Sequence, residues 1–404
     1  MVHTRNVVPT FRYRVRLLAL VVTATALVAG CDWTAVGFGP ANTSFNPFEP
    51  ALTESSVPHL TVKWSRPCDC PNRALVASGL VYVLDGGGQP NSVTLRARDA
   101  TSGQARWSTP LSAGNGSLGL SAVANGLVYL VAQPASGSGR VVALDAETGV
   151  FQWQVTPRAP GVTGEQVFVP APVVVDGPLA FVGALGSGGS EVSAIDPNGQ
   201  VVWSAAPGDG LPVLAADPAQ HRLYVLSQLF LTDGQVISLL TGYDEATGVR
   251  RSRVVAQISP FAGVESLAFS NGLVIGSQSN LHGEGGVGAF ALHPDTGALA
   301  WSGNGGTVSA VTPNVLLEFN LRLDPTTTAR DTSTGAVLWQ ARLDSGGVVA
   351  GNLVYGFRSG ANVVLRISDG SVVTTPALAE FGALTPAAGH LYVTGAGLQA
   401  LAPG

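Results

Sequence analysis

The chain has 404 residues, of which 46% are hydrophobic, 12% are charged and 51 are glycine. Its 26 acidic residues outnumber its 21 basic ones, which gives a formal net charge of −5 at pH 7. Because the chain has too few basic residues to neutralise a run of phosphates, we expect no nucleic-acid partner. A composition rich in glycine and poor in charge favours tightly turned β-structure over helices.

Residues 1–30 have the pattern of a signal peptide. Four arginines precede the apolar run LLALVVTATALVAG, and no acidic residue occurs before Asp32. The run is shorter than the roughly 20 residues that a membrane-spanning helix needs, so we expect the segment to be cleaved. Removing the four leader arginines leaves 17 basic residues against 26 acidic ones. The mature chain is therefore distinctly acidic.

The leader ends in LVAGC, Leu27 to Cys31, which resembles the lipobox of bacterial lipoproteins. That resemblance implies that Cys31 is lipidated and becomes the mature N-terminus; the alternative is an ordinary signal peptide followed by a chance cysteine. No later apolar run is long enough to span a bilayer, so the lipid would anchor the protein without spanning. We expect an exported protein, anchored at the periplasmic or extracellular face of an envelope membrane, with residues 31–59 as tether and lead-in.

The segment RPCDCPN follows, with Cys68 and Cys70 bracketed by two prolines. Thiols outside the cytoplasm tend to oxidise, so a local disulfide between these cysteines is the favoured interpretation. A free or metal-binding pair and a redox-active pair are the alternatives. A single C-x-C without nearby histidines is a weak metal signal.

From residue 97 onward, one short segment returns at intervals of about 43 residues. A short run of Val, Leu, Tyr and Ile precedes each copy and reads as a strand buried on both faces. Both series count to eight. The copies are ARDATSGQARW (Ala97–Trp107), ALDAETGVFQW (Ala143–Trp153), AIDPNGQVVW (Ala194–Trp203), GYDEATGVRRS (from Gly242), ALHPDTGALAW (Ala291–Trp301), ARDTSTGAVLW (Ala329–Trp339), LRISDGSVVTT (from Leu365) and LQALAPG (from Leu398).

This period is the length of a four-stranded propeller blade. We therefore predict an all-β protein in which residues 60–404 form one eight-bladed β-propeller of four-stranded antiparallel blades, with seven blades possible. The segment LTVKWS (Leu60–Ser65) carries the tryptophan of a final strand with no strands before it, while the last copy lacks that strand. The N-terminal strand is therefore expected to close the last blade, with Trp64 in the vacant position.

The repeated motif has a structural explanation. Its Asp accepts hydrogen bonds from the turn that follows, its Gly takes a positive φ, and its Trp fills the gap between neighbouring blades. A catalytic residue would be needed once rather than in every blade, so we assign these residues to the scaffold. They are Trp64, Asp99, Trp107, Asp145, Trp153, Asp196, Trp203, Trp301, Asp331 and Trp339. We expect the least regular geometry in the fourth, seventh and eighth copies, which have lost parts of the motif.

The motif Ala-x-Asp-x-x-Thr-Gly-x-x-x-Trp, with a lead-in containing Asp32, Trp33 and Gly37, resembles the PQQ-like β-propellers. That resemblance implies either a quinone-dependent dehydrogenase or a cofactor-free scaffold, such as the lipoprotein subunit of the outer-membrane barrel-assembly machine. The enzymes of this type bind pyrroloquinoline quinone and Ca²⁺ over the propeller centre, with a disulfide between adjacent cysteines and an Asp base. This chain has no Cys-Cys pair, and no cluster of Glu, Asn and Asp suggests a calcium site.

No G-x-S-x-G, H-E-x-x-H or P-loop motif occurs either. We therefore expect a non-catalytic interaction scaffold at the cell envelope that binds a protein partner, with no catalytic, cofactor-binding or metal-binding residue. The rival hypothesis is a secreted enzyme or carbohydrate-binding protein with its site in the central channel. Candidate contact loops are residues 84–92, 132–140, 156–166 and 277–286, whose alternative role is that of solvated connectors. The sequence leaves the identity of the partner and the oligomeric state open.

Overall fold

The computed structural model describes residues 31–86, 93–112, 116–158, 167–169, 172–259, 262–280, 287–304, 306–320, 325–376 and 382–404. The leader therefore lies outside the described residues. Within these ranges the chain forms β-strands and one 3-10 helix, Val57–His59, and no α-helix. None of the helical structure described is long and apolar enough to cross a membrane.

In chain order, the first half of the strands are β1 (Phe45–Asn46), β2 (Leu60–Pro67), β3 (Leu75–Ala77), β4 (Leu80–Asp85), β5 (Val93–Asp99), β6 (Ala105–Leu111), β7 (Ser117–Ala124), β8 (Leu127–Gln133), β9 (Arg140–Asp145), β10 (Phe151–Val155), β11 (Val174–Asp176), β12 (Leu179–Gly186), β13 (Gly189–Ile195), β14 (Val201–Ala205), β15 (Val213–Asp217), β16 (Arg222–Phe230), β17 (Val236–Asp244) and β18 (Arg250–Val255). The remainder are β19 (Ala262–Ser270), β20 (Leu273–Asn280), β21 (Val287–Leu292), β22 (Leu299–Asn304), β23 (Thr307–Val311), β24 (Val315–Asn320), β25 (Thr326–Asp331), β26 (Val337–Ala341), β27 (Val348–Ala350), β28 (Leu353–Arg358), β29 (Ala361–Arg366), β30 (Val372–Thr374), β31 (Ala383–Ala387), β32 (His390–Thr394) and β33 (Gly397–Pro403).

The strands form eight sheets, one per blade. Blades 1 to 7 each take four consecutive strands, from β3–β6 to β27–β30, and β1 adds a parallel edge to β27 of blade 7. Blade 8 has the order β2-β33-β32-β31, so the N-terminal strand pairs antiparallel with the C-terminal one. The predicted eight-bladed, all-β propeller and its closure by the N-terminal strand are both confirmed.

Burial explains which strands the sequence could reveal. The second strand of a blade is packed on both faces, and the four central residues of β4 are all buried. The outermost strand faces solvent on one side, and β10 alternates between exposed and half-buried residues. Continuous apolar runs therefore identify the inner strands, and the tryptophan motif identifies the outer ones.

The two faces of the propeller differ in their connections. We call the side with the turns between the first and second, and the third and fourth, strands of each blade the motif face. The opposite side, with the turns between second and third strands and the links from blade to blade, is the connector face. All of the motif aspartates in the scaffold set therefore lie on the motif face.

The turn at Asp145 shows how the repeat works. One oxygen of Asp145 accepts hydrogen bonds from the amide and the hydroxyl of Thr148 at 2.8 and 2.7 Å. Gly149 has a φ of +70°, and the ring of Trp107 from the preceding blade covers it so closely that a Cβ would overlap the indole. The Trp107 indole also donates to the carbonyl of Ala146 at 3.0 Å. Each such turn joins two blades.

The same indole bond recurs around the ring, always to the residue after the turn position. The pairs are Trp64 to Ala100, Trp107 to Ala146, Trp153 to Pro197, Trp203 to Glu245, Trp301 to Thr332 and Trp339 to Ile367. The turn carboxylates of Asp99, Asp196 and Asp331 likewise accept hydrogen bonds from backbone amides that lie two to four positions later in the chain. The carboxylate bonds are local, the indole bonds join neighbouring blades, and both kinds belong to the scaffold.

The fourth copy is more regular than expected. Asp244 accepts the amide and hydroxyl of Thr247 just as Asp145 does for Thr148, so the turn is intact despite the divergent sequence around it. The departure lies in the outer strand, where Ser252 pairs with Gly242 at the position that other blades give to tryptophan. In the seventh copy Arg366 occupies the aspartate position.

Residues 31–46, which we call the N-terminal ring, circle the channel at the motif face. Carbonyl groups of this segment accept hydrogen bonds from backbone amides at the innermost strands of seven blades. The pairs run Cys31 with Ala388, Trp33 with Val76, Thr34 with Val123, Pro40 with Ala216, Ala41 with Phe269, Thr43 with Val311 and Ser44 with Val349. The predicted lead-in is thus packed against the propeller, while the domain boundaries themselves stay a prediction.

Candidate functional site

The central channel holds a cavity of about 260 Å³ above the N-terminal ring. Its lining comes from ring residues, among them Asn42 and Ser44, and from the innermost strands of blades 4 to 6, including Ser266 and Ser309. A second cavity of about 250 Å³ lies against blades 7 and 8. Arg73, at the entrance to blade 1, lines both cavities. Among the described residues that line the two cavities, Arg73 is therefore the one cation, and it lies between them.

The guanidinium of Arg73 is held by weak partners. It donates to the carbonyl of Val36 at 3.1 Å and lies 5.4 Å from the ring centroid of Trp33. Its Nε is buried and has no hydrogen-bond partner. No carboxylate of the described residues forms an ion pair with it. Desolvation lowers the pKa of Arg73 to about 10, so the group keeps its positive charge at neutral pH.

The rest of the cavity wall is neutral. Asn42 donates to the carbonyl of Leu267 at 2.7 Å, and Ser309 donates to that of Leu317 at 3.2 Å. Among the described residues that line the two channel cavities, none is an Asp or a Glu. A chamber with one unpaired cation and neutral walls suits an anionic organic group and offers no described carboxylate to a metal ion.

Cys68 and Cys70 lie on the connector face, in the link that leads to Arg73. Their Cα atoms are 5.4 Å apart with the sulfur atoms facing each other, a separation within the usual range for disulfides. The amide of Cys70 donates to the carbonyl of Gly395 in blade 8 at 2.8 Å. The disulfide stays a prediction. The four candidate contact loops also begin and end on the connector face, although large parts of three of them lie outside the described residues.

Cys31 begins the described chain and is packed against the propeller. Its thiol donates to the carbonyl of Phe48 at 2.7 Å, and its own carbonyl accepts the side-chain amide of Asn46 at 3.0 Å. Burial raises the pKa of this thiol, with a smaller contribution from Glu49. Nothing in these contacts tests lipidation, which stays a prediction.

A second group of polar residues, Asp176, His221 and Glu245, meets where blades 3 and 4 adjoin on the motif face. We call it the corner cluster. Burial, together with the neighbouring carboxylate of Asp176, raises the pKa of Glu245. Sequence reasoning missed this cluster because its three members are spread over 69 positions of the chain. Glu245 nevertheless stands where the first two copies have Ala100 and Ala146. That break in the repeat was the available signal.

Comparison with known proteins begins with the family level. A family model described as "Outer membrane protein assembly factor BamB" matches residues 61–210 and 137–312, which together make up more than half of the chain. The structure of BamB from Moraxella catarrhalis superposes with a TM-score of 0.55 at 15% identity, covering 85% of this chain and 97% of that one.

Two dehydrogenases also resemble the chain. The "1-butanol dehydrogenase (cytochrome c)" of Thauera butanivorans is 28% identical over 224 residues, which is 50% of this chain but only 30% of that enzyme. The quinohemoprotein alcohol dehydrogenase of Comamonas testosteroni superposes with a TM-score of 0.67 at 14% identity, covering 93% of this chain and 81% of that one. At this identity the structural match shows the fold alone.

These comparisons overturn two expectations from the sequence. The prediction of a non-catalytic scaffold, and with it the prediction that the protein is not an enzyme, is wrong, since the curated relative that matches 50% of this chain is described as a 1-butanol dehydrogenase. The reasoning failed because it searched for motifs that are contiguous in the chain. A channel site is assembled from separate blades, and Arg73 faces the N-terminal ring only once the propeller has closed.

Proposed function

The chain belongs to the propeller family described as outer membrane protein assembly factor BamB, and we propose that it is an exported enzyme that oxidises a small alcohol. The proposal rests on its likeness to alcohol dehydrogenases. The family description agrees with the expected location outside the cytoplasm. The site is the central channel above the N-terminal ring.

Arg73 is the observation that carries this proposal. Arg73 is half-buried, its Nε is shielded from water without a hydrogen-bond partner, and no carboxylate of the described residues pairs with it. Such a cation is unfavourable for folding, so its presence needs a compensating role. In a cavity of low dielectric constant it attracts a carboxylate or a carbonyl oxygen more strongly than it would in water. Arg73 therefore anchors and orients an anionic group within the channel.

The residues around Arg73 limit what the chamber can do. The N-terminal ring covers the motif-face end of the channel, because its carbonyls are bonded to the innermost strands of seven blades. Ser266, whose hydroxyl lies 2.8 Å from that of Ser277, and Ser309 offer neutral hydroxyl groups to an alcohol or a carbonyl. No proton acceptor is assigned, since none of the described residues of the cavity wall is a carboxylate.

The cofactor that these relatives imply is a carboxylate-bearing quinone, and the charge of Arg73 fits such a group. When bound, a quinone accepts the two electrons and two protons that an alcohol loses on becoming an aldehyde. Arg73 would hold it, with Asn42 and Ser309 beside it. The described residues do not fit the accompanying metal ion, so no role is assigned to one.

The test is reconstitution of the purified chain. Pyrroloquinoline quinone would be added alone, with Ca²⁺ and with a lanthanide ion, and binding followed by quenching of protein fluorescence. Reduction of an artificial dye with 1-butanol, ethanol or methanol measures turnover. We expect quinone binding and alcohol-dependent dye reduction in the wild type, and at least a tenfold weaker binding in Arg73→Gln.

Arg106→Gln is the matched control. Arg106 lies on the outer strand of blade 1, where it pairs with Asp99 at 2.6 Å, and its loss should leave quinone binding unchanged. The proposal fails if the wild type neither binds the quinone nor reduces the dye, or if the two arginine variants behave alike.

Anchoring to a membrane is a further part of this proposal. We propose that Cys31 carries a lipid, on the strength of the lipobox-like sequence before it. Replacing Cys31 by Ala should move the protein from the membrane fraction of the expressing cell to the soluble fraction of the exported proteins. Retention of the variant in the membrane would contradict lipidation.

A protein partner at the envelope is a second proposal, supported by the likeness to an assembly factor. Its expected surface is the connector face, where the loop 132–140 lies. Affinity capture from detergent-solubilised membranes, followed by mass spectrometry, tests it. A partner whose binding survives replacement of residues 134–138 by a short glycine-serine turn would not use that loop.

A further inference from the structure

The corner cluster contains three potential ligands of a metal ion. One carboxylate oxygen of Asp176, one of Glu245 and a ring nitrogen of His221 all lie within 4.8 Å of one another. Asp176 ends the innermost strand of blade 3, whereas His221 and Glu245 follow strands of blade 4. None of the three lines the cavity of the channel. The cluster is therefore distinct from the site at Arg73.

Two carboxylates meet in this cluster, and one oxygen of each has no donor among the described residues. The side chain of Glu245 is only 7% exposed, and its Oε1 is buried without a hydrogen-bond partner. The same is true of Oδ2 of Asp176. Buried carboxylate oxygens that meet in this way need either a shared proton or a cation between them. The cluster therefore has the charge and the open coordination that a cation would satisfy.

The described part of the chain supplies no permanent cation at this place. Among the described residues, no arginine or lysine pairs with Asp176 or Glu245. Arg222, which adjoins His221 in the chain, instead reaches Asp295 at 3.4 Å. The nearest potential cation is His221, whose Nδ1 lies 3.8 Å from Glu245. Its side chain is 80% exposed, which leaves a path for an ion from solvent.

The backbone holds the ligands in place. The amide of Glu245 donates to the carbonyl of His221 at 3.1 Å, and the carbonyl of Glu245 accepts the indole N–H of Trp203 at 2.7 Å. The buried Asp217 is already satisfied by the amide of Ala219 at 3.1 Å. The backbone positions of His221 and Glu245 are therefore fixed relative to each other, and the ligand atoms of all three residues already lie within 4.8 Å of one another.

Among the described residues, this combination of side chains occurs once in a repeating fold. At the position of Glu245, blades 1 and 2 have Ala100 and Ala146, whose carbonyls serve the tryptophan equally well. The blade therefore does not require an acidic side chain there. A buried acid that the fold does not need indicates a ligand.

We propose that Asp176, His221 and Glu245 bind one divalent transition-metal ion, for which Zn²⁺ is the reference, and that the ion links blade 3 to blade 4. An imidazole with two carboxylates is a ligand set that Zn²⁺ accepts at about 2.0–2.2 Å, with water in the fourth position. Ca²⁺ and Mg²⁺ prefer oxygen ligands alone. The folded state binds the ion and the unfolded chain does not, so the ion stabilises the fold.

The experiment titrates ZnCl₂ into the metal-stripped full-length chain by calorimetry, with CaCl₂ as the comparison ion. We expect one zinc site, a rise in melting temperature on adding zinc, and a much weaker response to calcium. Glu245→Gln and His221→Ala should each weaken zinc binding at least tenfold. The double variant Cys68→Ser/Cys70→Ser should leave it unchanged, which excludes the second group of potential ligands formed by these cysteines and Asp85.

His390→Ala is the matched control, because His390 lies in the corresponding turn of blade 8 and belongs to no group of three ligands among the described residues. If a variant at Glu245 fails to fold, Asp176→Asn gives the same test from blade 3. The proposal is overturned if zinc does not bind, or if its affinity is the same in wild type, Glu245→Gln and His221→Ala. A shared proton would then account for the two carboxylates, and Glu245→Gln would raise the melting temperature with or without zinc.

Discussion

The turn at Asp145 in blade 2 and the turn at Asp244 in blade 4 have the same hydrogen bonds and different surroundings. Each carboxylate accepts the amide and hydroxyl of a threonine three residues on. The next residue is Ala146 in one turn and Glu245 in the other, and each gives its carbonyl to a tryptophan of the preceding blade. The repeat needs that carbonyl and not the side chain attached to it.

This difference separates two kinds of residue in the propeller. Residues whose contacts recur from blade to blade hold the fold together, and their replacement should lower stability. Arg73 and the corner cluster make contacts that occur once, and those contacts are poor ones for stability. Replacing them should change ligand binding and, when no ligand is bound, leave the fold intact or improve it.

The largest loss of stability is expected where blade 8 closes the propeller against blade 1. Trp64 is only 6% exposed, and its indole N–H donates to the carbonyl of Ala100 across the junction between blade 8 and blade 1. Trp64→Ala should lower the free energy of unfolding by about 3–5 kcal/mol, measured by urea denaturation. Trp107→Ala removes a half-buried tryptophan from an internal junction and should cost less. An equal or larger loss in Trp107→Ala would contradict the special importance of closure.

A smaller effect is expected at the glycines beneath the tryptophans. Gly149→Ala places a methyl group against the ring of Trp107 at a φ of +70° and should cost about 2–3 kcal/mol. Gly126, with a φ of +74° and open space at its Cβ, is the matched control. Gly126→Ala should show only the backbone penalty of about 1–2 kcal/mol. Equal losses would mean that the indole contact does not restrict this position.

The third prediction has the opposite sign. Arg73→Met removes an unpaired cation from the channel, so it should raise the free energy of unfolding by about 1 kcal/mol while abolishing anion binding. Thermal unfolding without added ligand measures the first effect. A clear loss of stability would show that Arg73 is a scaffold residue, with its bond to Val36 and its contact with Trp33 as the reason.

The smallest effect concerns acid. Hydrogen bonds from Arg106 and Ser102 lower the pKa of Asp99 to about 2, below the usual value of about 3.9 in an unfolded chain. Asp99 therefore stabilises the folded state above pH 4, and this contribution is lost as the pH falls from 4 towards 2. The side chain of Arg106 is 57% exposed, so water screens the pair and the loss is less than about 1 kcal/mol. Asp99→Asn should flatten the melting temperature between pH 4 and 2, and an unchanged slope would contradict this.

The sequence predicted most of the fold because the repeat contains it. The spacing of the Asp, Gly and Trp positions is set by the length of one blade, and the orphan strand around Trp64 required a partner at the other end of the chain. Both inferences depend on patterns that survive in a linear reading. The regular turn at Asp244 was underestimated because its missing tryptophan, replaced by Ser252, affects the outer strand and not the turn.

The candidate sites could not be read in the same way. Arg73 has no motif around it, and its isolation from carboxylates becomes visible only when the N-terminal ring and the innermost strands enclose it. Asp176 and Glu245 belong to adjacent blades, and their oxygens meet only because the blades pack side by side. Local spacing along the chain determined the number of blades, their turns and their closure. The tertiary structure decided which side chains share a cavity or a corner, because the distances between residues of different blades depend on how the blades pack and not on any one segment of the sequence.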